Sequence, residues 1–158
     1  MDDKSSHLKK TEPVLVSACL LGISCRYDGC LKYHIDLSSD SQIIPIPVCP
    51  EQLGGLPTPR PACNLAEGDG KAVLEGKARV VNADGQDVTD KFIQGAREVC
   101  LIARLTGAKK AILKDKSPSC GTTKVKISEK WKKGLGVTAS MLLSMGIVIV
   151  NEDQIKGL

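Results

Sequence analysis

The sequence predicts an α/β fold: a three-layer sandwich around a mainly parallel, Rossmann-like sheet, with a small β-hairpin insertion. Short β-branched apolar runs recur without polar alternation, which is typical of strands buried on both faces. Segments with helical spacing lie between the later runs. The chain has 158 residues, which suits one core. We therefore expect a flexible tail over residues 1–12 and a single α/β domain over residues 13–158.

The first half of the chain supplies two strands and the hairpin. Residues 14–18 form the first strand, and residues 43–48 form the second, whose two prolines place it at an edge of the sheet. A Gly/Pro-rich segment over residues 54–61 reads as an ordered loop. Residues 72–75 and 78–81 are predicted to pair around a two-residue Gly-Lys turn.

The second half alternates helices and strands. Residues 92–105 keep helical spacing and end before a glycine, and residues 110–114 form the next strand. The basic stretch over residues 124–133 is expected to be an exposed loop. A helix from residue 136 to residue 145 and a strand over residues 147–150 complete the fold.

Composition excludes several classes of protein. Seven cysteines cannot all pair within the chain, and the sequence shows neither a signal segment nor the roughly 20 apolar residues of a membrane span. We therefore expect a cytoplasmic protein with reduced thiols and no membrane partner. The net charge of +4 and the four aromatic residues make no strong case for nucleic acid, and nothing indicates an oligomeric state.

Three cysteines share one kind of position. Cys19 and Cys49 directly follow the first two predicted strands, and Cys120 lies a short loop beyond the strand over residues 110–114. Because the carboxyl ends of parallel strands meet at one edge, these thiols are expected to converge as metal ligands. Three thiolates suit a cubane iron–sulfur cluster with one open iron, and a three-cysteine zinc with a bound water is the alternative. Cys100 is expected in the core, and no role is assigned to the remaining thiols, Cys25, Cys30 and Cys63.

Polar residues beside these cysteines are candidates for catalysis. Glu51 stands two residues past Cys49, where a carboxylate near a metal centre can act as general acid or base. Ser117 and Ser119 flank Pro118 just before Cys120, where they could donate a proton or cap a turn.

A second group of residues is predicted to bind substrate. Arg26 and Asp28 could hold the polar edges of a ligand, and Tyr27 could stack on a ring, although the three could equally form a turn with an Arg–Asp pair. Arg60, held between two prolines, could bind an anion or pair with a carboxylate.

Taken in order, these motifs resemble the family described as domain of unknown function 523. They are VSACLLG at 16–22, CRYDG at 25–29, VCPEQLGGLPTPR at 48–60 and SPSCG at 117–121. The likeness extends from about residue 14 to residue 152. One departure lies at residues 62–64, where we expect the family to carry a carboxylate and this chain has Cys63 and Asn64.

The resemblance implies a thiouracil desulfidase-like enzyme with a [4Fe-4S] cluster on Cys19, Cys49 and Cys120. It implies Glu51 as the catalytic glutamate and a catalytic serine that is either Ser117 or Ser119. The expected reaction is the non-redox removal of sulfur, as hydrosulfide, from thiouracil or a similar small thiocarbonyl compound. The alternative is a carrier or sensor module that binds an iron–sulfur cluster or zinc, hands sulfur or metal to a partner, and could dock through residues 124–133.

Overall fold

The protein, represented by a computed structural model, is described over residues 10–37, 39–40 and 42–155. Most of the predicted tail, residues 1–9, lies outside the described residues. The strands are β1 (Glu12–Ser17), β2 (Ile43–Val48), β3 (Cys63–Ala66), β4 (Arg79–Asn82), β5 (Lys110–Leu113), β6 (Lys124–Ile127), β7 (Lys130–Lys133) and β8 (Val148–Asn151). The helices are α1 (Pro50–Leu53), α2 (Gly70–Leu74), α3 (Thr89–Thr106) and α4 (Val137–Ser144).

Four strands form a parallel sheet, sheet A, in the order β2-β1-β5-β8. This confirms the mainly parallel sheet and places the proline-containing β2 at its edge. After β1 the chain adds β2 on one side of it, and after β5 the chain adds β8 on the opposite side. The strand order therefore reverses between β1 and β5, where open α/β sheets bind their ligands.

Sheet A is buried on both faces, as its uninterrupted apolar runs predict. Leu15 and Leu113 pack on one face against α3 and α4, whereas Val14, Val16 and Ile112 point to the other. That second face is covered by irregular chain, whose packed side chains are Leu20, Ile35, Leu37 and Ile155. Among the described residues, this covering layer consists of the 3₁₀ turn Ala18–Leu21, the irregular chain between β1 and β2, and the C-terminal turn.

The remaining strands form a second sheet, sheet B, in the order β4-β3-β6-β7. β3 pairs antiparallel with β4 and parallel with β6, and its Leu65 packs with Phe92 of α3 and Val137 of α4 in a second core. β3 begins just after the predicted loop over residues 54–61, in a segment for which no strand was predicted.

The predicted hairpin over residues 72–81 is wrong. Residues 70–74 form α2, because the Asp69 carboxylate accepts a hydrogen bond from the Ala72 amide at 3.2 Å and caps the turn. The hairpin of the fold lies instead in the stretch expected to be a loop, where β6 and β7 pair antiparallel. Their turn is Ser128-Glu129, with φ of 47° and 68°, and these residues lack the Asn-Gly signature of such turns.

The other helices and strands agree closely with the predicted ones. α3 and α4 cover the two predicted helices, and β5 and β8 cover the two predicted later strands, with ends that differ by no more than a few residues. Within the described residues, no helix is both long and apolar enough to cross a membrane.

Candidate active site

The three strand-end cysteines lie on one cavity of about 390 Å³ at the carboxyl edge of sheet A. Cys19 is carried by a single 3₁₀ turn after β1, Cys49 immediately precedes α1 after β2, and Cys120 lies in the loop after β5. These strands are direct neighbours in the sheet, so their ends bring the thiols to a shared site. The strand topology thus produces the predicted convergence, while the role of the three thiols as ligands stays a prediction.

The spacing of these thiols bears on the kind of metal centre they could hold. Across the described parts of the chain, no three His, Cys, Asp or Glu side chains are grouped closely enough to hold one metal ion. In an iron–sulfur cluster each thiolate binds a different iron, so the ligands need not meet at one point. Three thiols on one cavity could each bind a different iron of a cubane cluster and leave its fourth iron open.

Cys25 is a further thiol on the cavity, and no role was assigned to it from the sequence. Its side chain is buried beside the thiols of Cys19 and Cys49, and the Cys49 thiol donates a hydrogen bond to the Cys25 carbonyl oxygen at 3.8 Å. Through these contacts the Cys25 thiol lowers the pKa of Cys19, and it lowers that of Cys49 to about 7 against the effect of burial. Burial raises the pKa of the Cys120 thiol to about 12. Cys100, in contrast, is packed in the core, as predicted.

The catalytic candidates form one hydrogen-bonded group. The Ser119 hydroxyl donates to Glu51 Oε2 at 3.0 Å, and the hydroxyl oxygens of Ser117 and Ser119 are 3.1 Å apart. Ser117 Oγ also accepts the backbone N–H of Cys120 at 3.1 Å. The structure thus brings all three predicted residues together, with Ser119 in contact with the carboxylate and Ser117 bound to the turn that carries Cys120.

Arg60 is buried, with 3% of its side chain exposed, and its hydrogen bonds go to the protein. Its Nε donates to Glu51 Oε1 at 3.1 Å, and its terminal nitrogens donate to the carbonyl oxygens of Cys25 and Pro57 and to the Thr58 hydroxyl. The sequence left open whether Arg60 binds an anion or pairs with a carboxylate, and the structure shows the pairing with a carboxylate.

The Arg26-Tyr27-Asp28 segment forms the outer part of the site. Arg26 makes two hydrogen bonds to the Asp28 carboxylate, each of 3.2 Å, and its guanidinium lies 5.6 Å from the Tyr27 ring centre and 5.7 Å from that of Tyr33. Arg26, Tyr27 and Tyr33 line the cavity, whereas Asp28 holds Arg26. Tyr33 also faces Lys114, whose ammonium lies 4.9 Å from the ring centre.

Another part of the cavity wall comes from sheet B and the residue before it, and of this wall the sequence analysis had singled out only residues 62–64. Its lining residues are Ala62, Cys63, Asn64, Lys126 and Trp131. Asn64, where a carboxylate had been expected, donates a hydrogen bond of 2.7 Å to Glu129 in the β6–β7 turn. These residues could be placed only by knowing that β3 and β6 pair, because none carries a recognisable motif.

The structure thus defines an α/β protein whose parallel sheet carries three thiols and a carboxylate on one cavity at its switch point. The family model of 2-thiouracil desulfurase matches residues 14–154. The uncharacterized protein YbbK of Bacillus subtilis strain 168 is 37% identical over 150 residues, which cover 90% of this chain and 97% of that protein. The solved structure of the [4Fe-4S]-dependent thiouracil desulfidase TudS matches with a TM-score of 0.78 and 35% identity, covering 94% of this chain and 95% of that one. The chain belongs to the 2-thiouracil desulfurase family, which confirms the resemblance.

Proposed function

We propose that the protein is a [4Fe-4S]-dependent desulfidase that removes sulfur from thiouracil or a similar small thiocarbonyl compound. The observation that carries the proposal is the 3.0 Å hydrogen bond between Ser119 and Glu51 on a cavity lined by three strand-end thiols. Membership of the 2-thiouracil desulfurase family and the likeness to TudS support it.

Cys19, Cys49 and Cys120 are the residues that would hold the cluster. Their distribution around the cavity fits a group with several metal atoms, and the protein offers three thiols for its four irons. When bound, such a cluster supplies a Lewis-acidic iron for the sulfur of the substrate. Cys25 is placed to hydrogen-bond with two of these thiols and is not assigned as a ligand.

Glu51 is assigned as the general base. Its Oε2 takes a proton from water, whose oxygen then bonds to the carbon that carries the sulfur. The carbon–sulfur bond breaks, and sulfur leaves as hydrosulfide. The balance is C=S plus water giving C=O, hydrosulfide and one proton, with no electron gained or lost.

Ser119 is assigned as the proton relay. It is the serine in direct contact with Glu51 Oε2, and it passes protons between that oxygen and the cavity. Ser117, whose hydroxyl oxygen lies 3.1 Å from that of Ser119, positions the turn that carries Cys120. The carrier alternative gives this carboxylate–hydroxyl group no role, so we do not retain it.

Anaerobic purification followed by incubation with thiouracil tests the proposal. We expect a brown protein containing iron and sulfide that releases uracil and hydrosulfide in equal amounts. A colourless, zinc-loaded protein would contradict the cluster, and a brown protein that leaves thiouracil unchanged would contradict the substrate. A Glu51→Gln variant with the same iron content serves as the matched control for contaminating activity.

A further inference from the structure

Arg60 is a buried cation that lies between two parts of the site. A guanidinium has five N–H donors, and burying such a charge is costly unless partners satisfy it. Four hydrogen bonds to the protein meet this requirement, and two of them reach Glu51 and the backbone of Cys25. The Arg60 side chain therefore contacts both the predicted general base and the segment that carries Cys25.

Arg60 contacts only one of the two oxygens of the Glu51 carboxylate. Nε donates to Oε1 at 3.1 Å, while the terminal nitrogen that could complete a bidentate pair donates instead to the carbonyl of Cys25 at 2.9 Å. A bidentate pair would occupy both carboxylate oxygens. In this arrangement Oε2 keeps its hydrogen bond with Ser119. The two oxygens of Glu51 thus have different partners: a fixed cation at one and an exchangeable hydroxyl at the other.

Arg60 also binds the backbone of the segment that contains Cys25 and Tyr27. The Cys25 carbonyl that accepts its hydrogen bond lies 3.8 Å from the Cys49 thiol, and the Arg60 backbone N–H donates to the Tyr27 carbonyl at 2.8 Å. One residue therefore links α1, which carries Glu51, to the segment that carries Cys25.

We propose that Arg60 is a positioning residue for Glu51: it holds Oε1 so that Oε2 remains the oxygen available to Ser119 and to the attacking water. This role rests on the proposed function, and it replaces the sequence-based expectation that Arg60 binds substrate. It requires the planar fork of arginine, because the three donors of a lysine ammonium sit on one atom and cannot reach the carboxylate, the two carbonyls and the hydroxyl together.

Kinetics of Arg60 variants distinguish positioning from substrate binding. In Arg60→Gln we expect kcat to fall by about 100-fold, as for a misplaced catalytic group. We expect KM to change by no more than about two-fold, because the lost interaction acts in the transition state. The kcat of Arg60→Lys should lie between that of Arg60→Gln and that of the natural protein. Arg79→Gln, which removes an exposed pair with Glu67, is the matched control and should leave kcat unchanged.

Chemical rescue provides a readout that a purely structural role would not move. In Arg60→Ala, millimolar guanidinium chloride should restore part of kcat, whereas sodium chloride at equal ionic strength should not. A raised KM with unchanged kcat in Arg60→Gln would overturn the proposal, because it would assign Arg60 to substrate binding. Loss of iron from both Arg60→Lys and Arg60→Gln would also overturn it, because Arg60 would then support the thiols.

A measurement without substrate separates this proposal from the proposed function. If the iron-loaded natural protein does not act on thiouracil, the proposed function fails before any variant is compared. Thermal unfolding of Glu51→Gln, Arg60→Gln and the double variant still reports whether the two residues are coupled. Non-additive changes would support the Glu51–Arg60 contact, and additive changes would overturn it.

Discussion

Ser119 donates a hydrogen bond to Glu51 across the carboxyl edge of sheet A, at 3.0 Å from Oε2. The two residues are 68 positions apart and belong to chain segments that follow different strands, β5 and β2. The contact forms because β1 alone separates those strands in the sheet. The same edge carries the three thiols. The strand order therefore brings both the Ser119–Glu51 pair and the predicted metal ligands to one place.

Replacing Glu51 with Gln should abolish turnover while leaving iron content unchanged. Gln preserves the shape of the side chain but cannot take a proton from water, and loss of a general base costs about 10²–10⁴-fold in rate. Uracil formation under anaerobic conditions, normalised to iron, measures the effect. Activity within ten-fold of the natural protein would remove Glu51 from the reaction.

The two serines should have separable effects. Ser119→Ala removes the donor to Glu51 Oε2 and should lower kcat by about 100-fold with the cluster retained. Ser117→Ala removes the acceptor for the Cys120 amide, so it should mainly speed the loss of iron to a chelator. Comparison of kcat with chelation rate in both variants checks this assignment, and the opposite pattern would exchange the two roles.

Cysteine variants should divide into two groups by iron content. Cys19→Ala, Cys49→Ala and Cys120→Ala each remove a predicted ligand and should prevent stable cluster assembly. Cys100→Ala removes a core thiol at α3 and should retain iron, with some loss of stability from the cavity it leaves. Iron and sulfide analysis after anaerobic reconstitution separates the groups. Full cluster content in any of the first three would exclude that thiol as a required ligand.

Gly95 in α3 sets the position of α1. A Cβ at Gly95 would collide with the Pro50 carbonyl oxygen, and one at Gly54 would collide with that of Lys91. Ala in a helix interior normally stabilises by about 0.5–1 kcal/mol relative to Gly. Here overpacking should reverse the sign, so we expect Gly95→Ala to destabilise the protein by about 1–3 kcal/mol and to lower activity by moving Glu51.

Denaturant unfolding and kcat measure the Gly95→Ala effect. Arg97→Ala, at an exposed position of the same helix, is the control and should leave both nearly unchanged. A Gly95→Ala protein at least as stable as the natural one would contradict close backbone packing between α1 and α3.

Asp115 should make stability depend on acid. Burial raises its pKa, but hydrogen bonds from the Thr123 hydroxyl and from the amides of Thr122 and Thr123 outweigh burial and hold the pKa below its usual range. A carboxylate with a lowered folded-state pKa contributes its full stability above its unfolded value, about 3.9, and loses it as pH falls through the folded value. We therefore expect the natural protein and Asp115→Ala to differ most in stability above about pH 4.

Urea unfolding of the cluster-free proteins from pH 7 to pH 3 checks the Asp115 prediction. The stability difference should shrink steadily below about pH 4. A difference that stays constant over this range would show that Asp115 contributes by packing and not by charge.

The fold was predictable where burial left a clear pattern. The strands of sheet A are buried on both faces, so Val14, Leu15 and Val16 give an unbroken apolar run that indicates a central strand. Sheet B is different: β7 is exposed throughout, and its lysines resemble a loop. The β6–β7 turn uses Ser128 and Glu129 at positive φ, a conformation that their residue types do not signal.

The site was predictable where it depends on strand order, and not where it depends on how loops pack over the sheet edge. Cys19, Cys49 and Cys120 could be grouped because strand ends share an edge, a rule that needs only the order of elements. The burial of Arg60 and the contact of Cys25 with two thiols depend on how loops fold back over that edge. No local pattern specifies such contacts, so they required the structure.

The two walls of the cavity belong to different sheets, with the thiols and Glu51 following sheet A and the facing wall built by β3 and the β6–β7 hairpin. Under the proposed function, the thiols and Glu51 therefore come from one part of the chain and much of the wall that faces them comes from another. Substitutions at Ala62, Asn64 or Trp131 can reshape the space offered to a heterocycle without disturbing the thiols or the general base. If the proposed function holds, this division would let the sheet B wall vary while the thiols and Glu51 keep their positions.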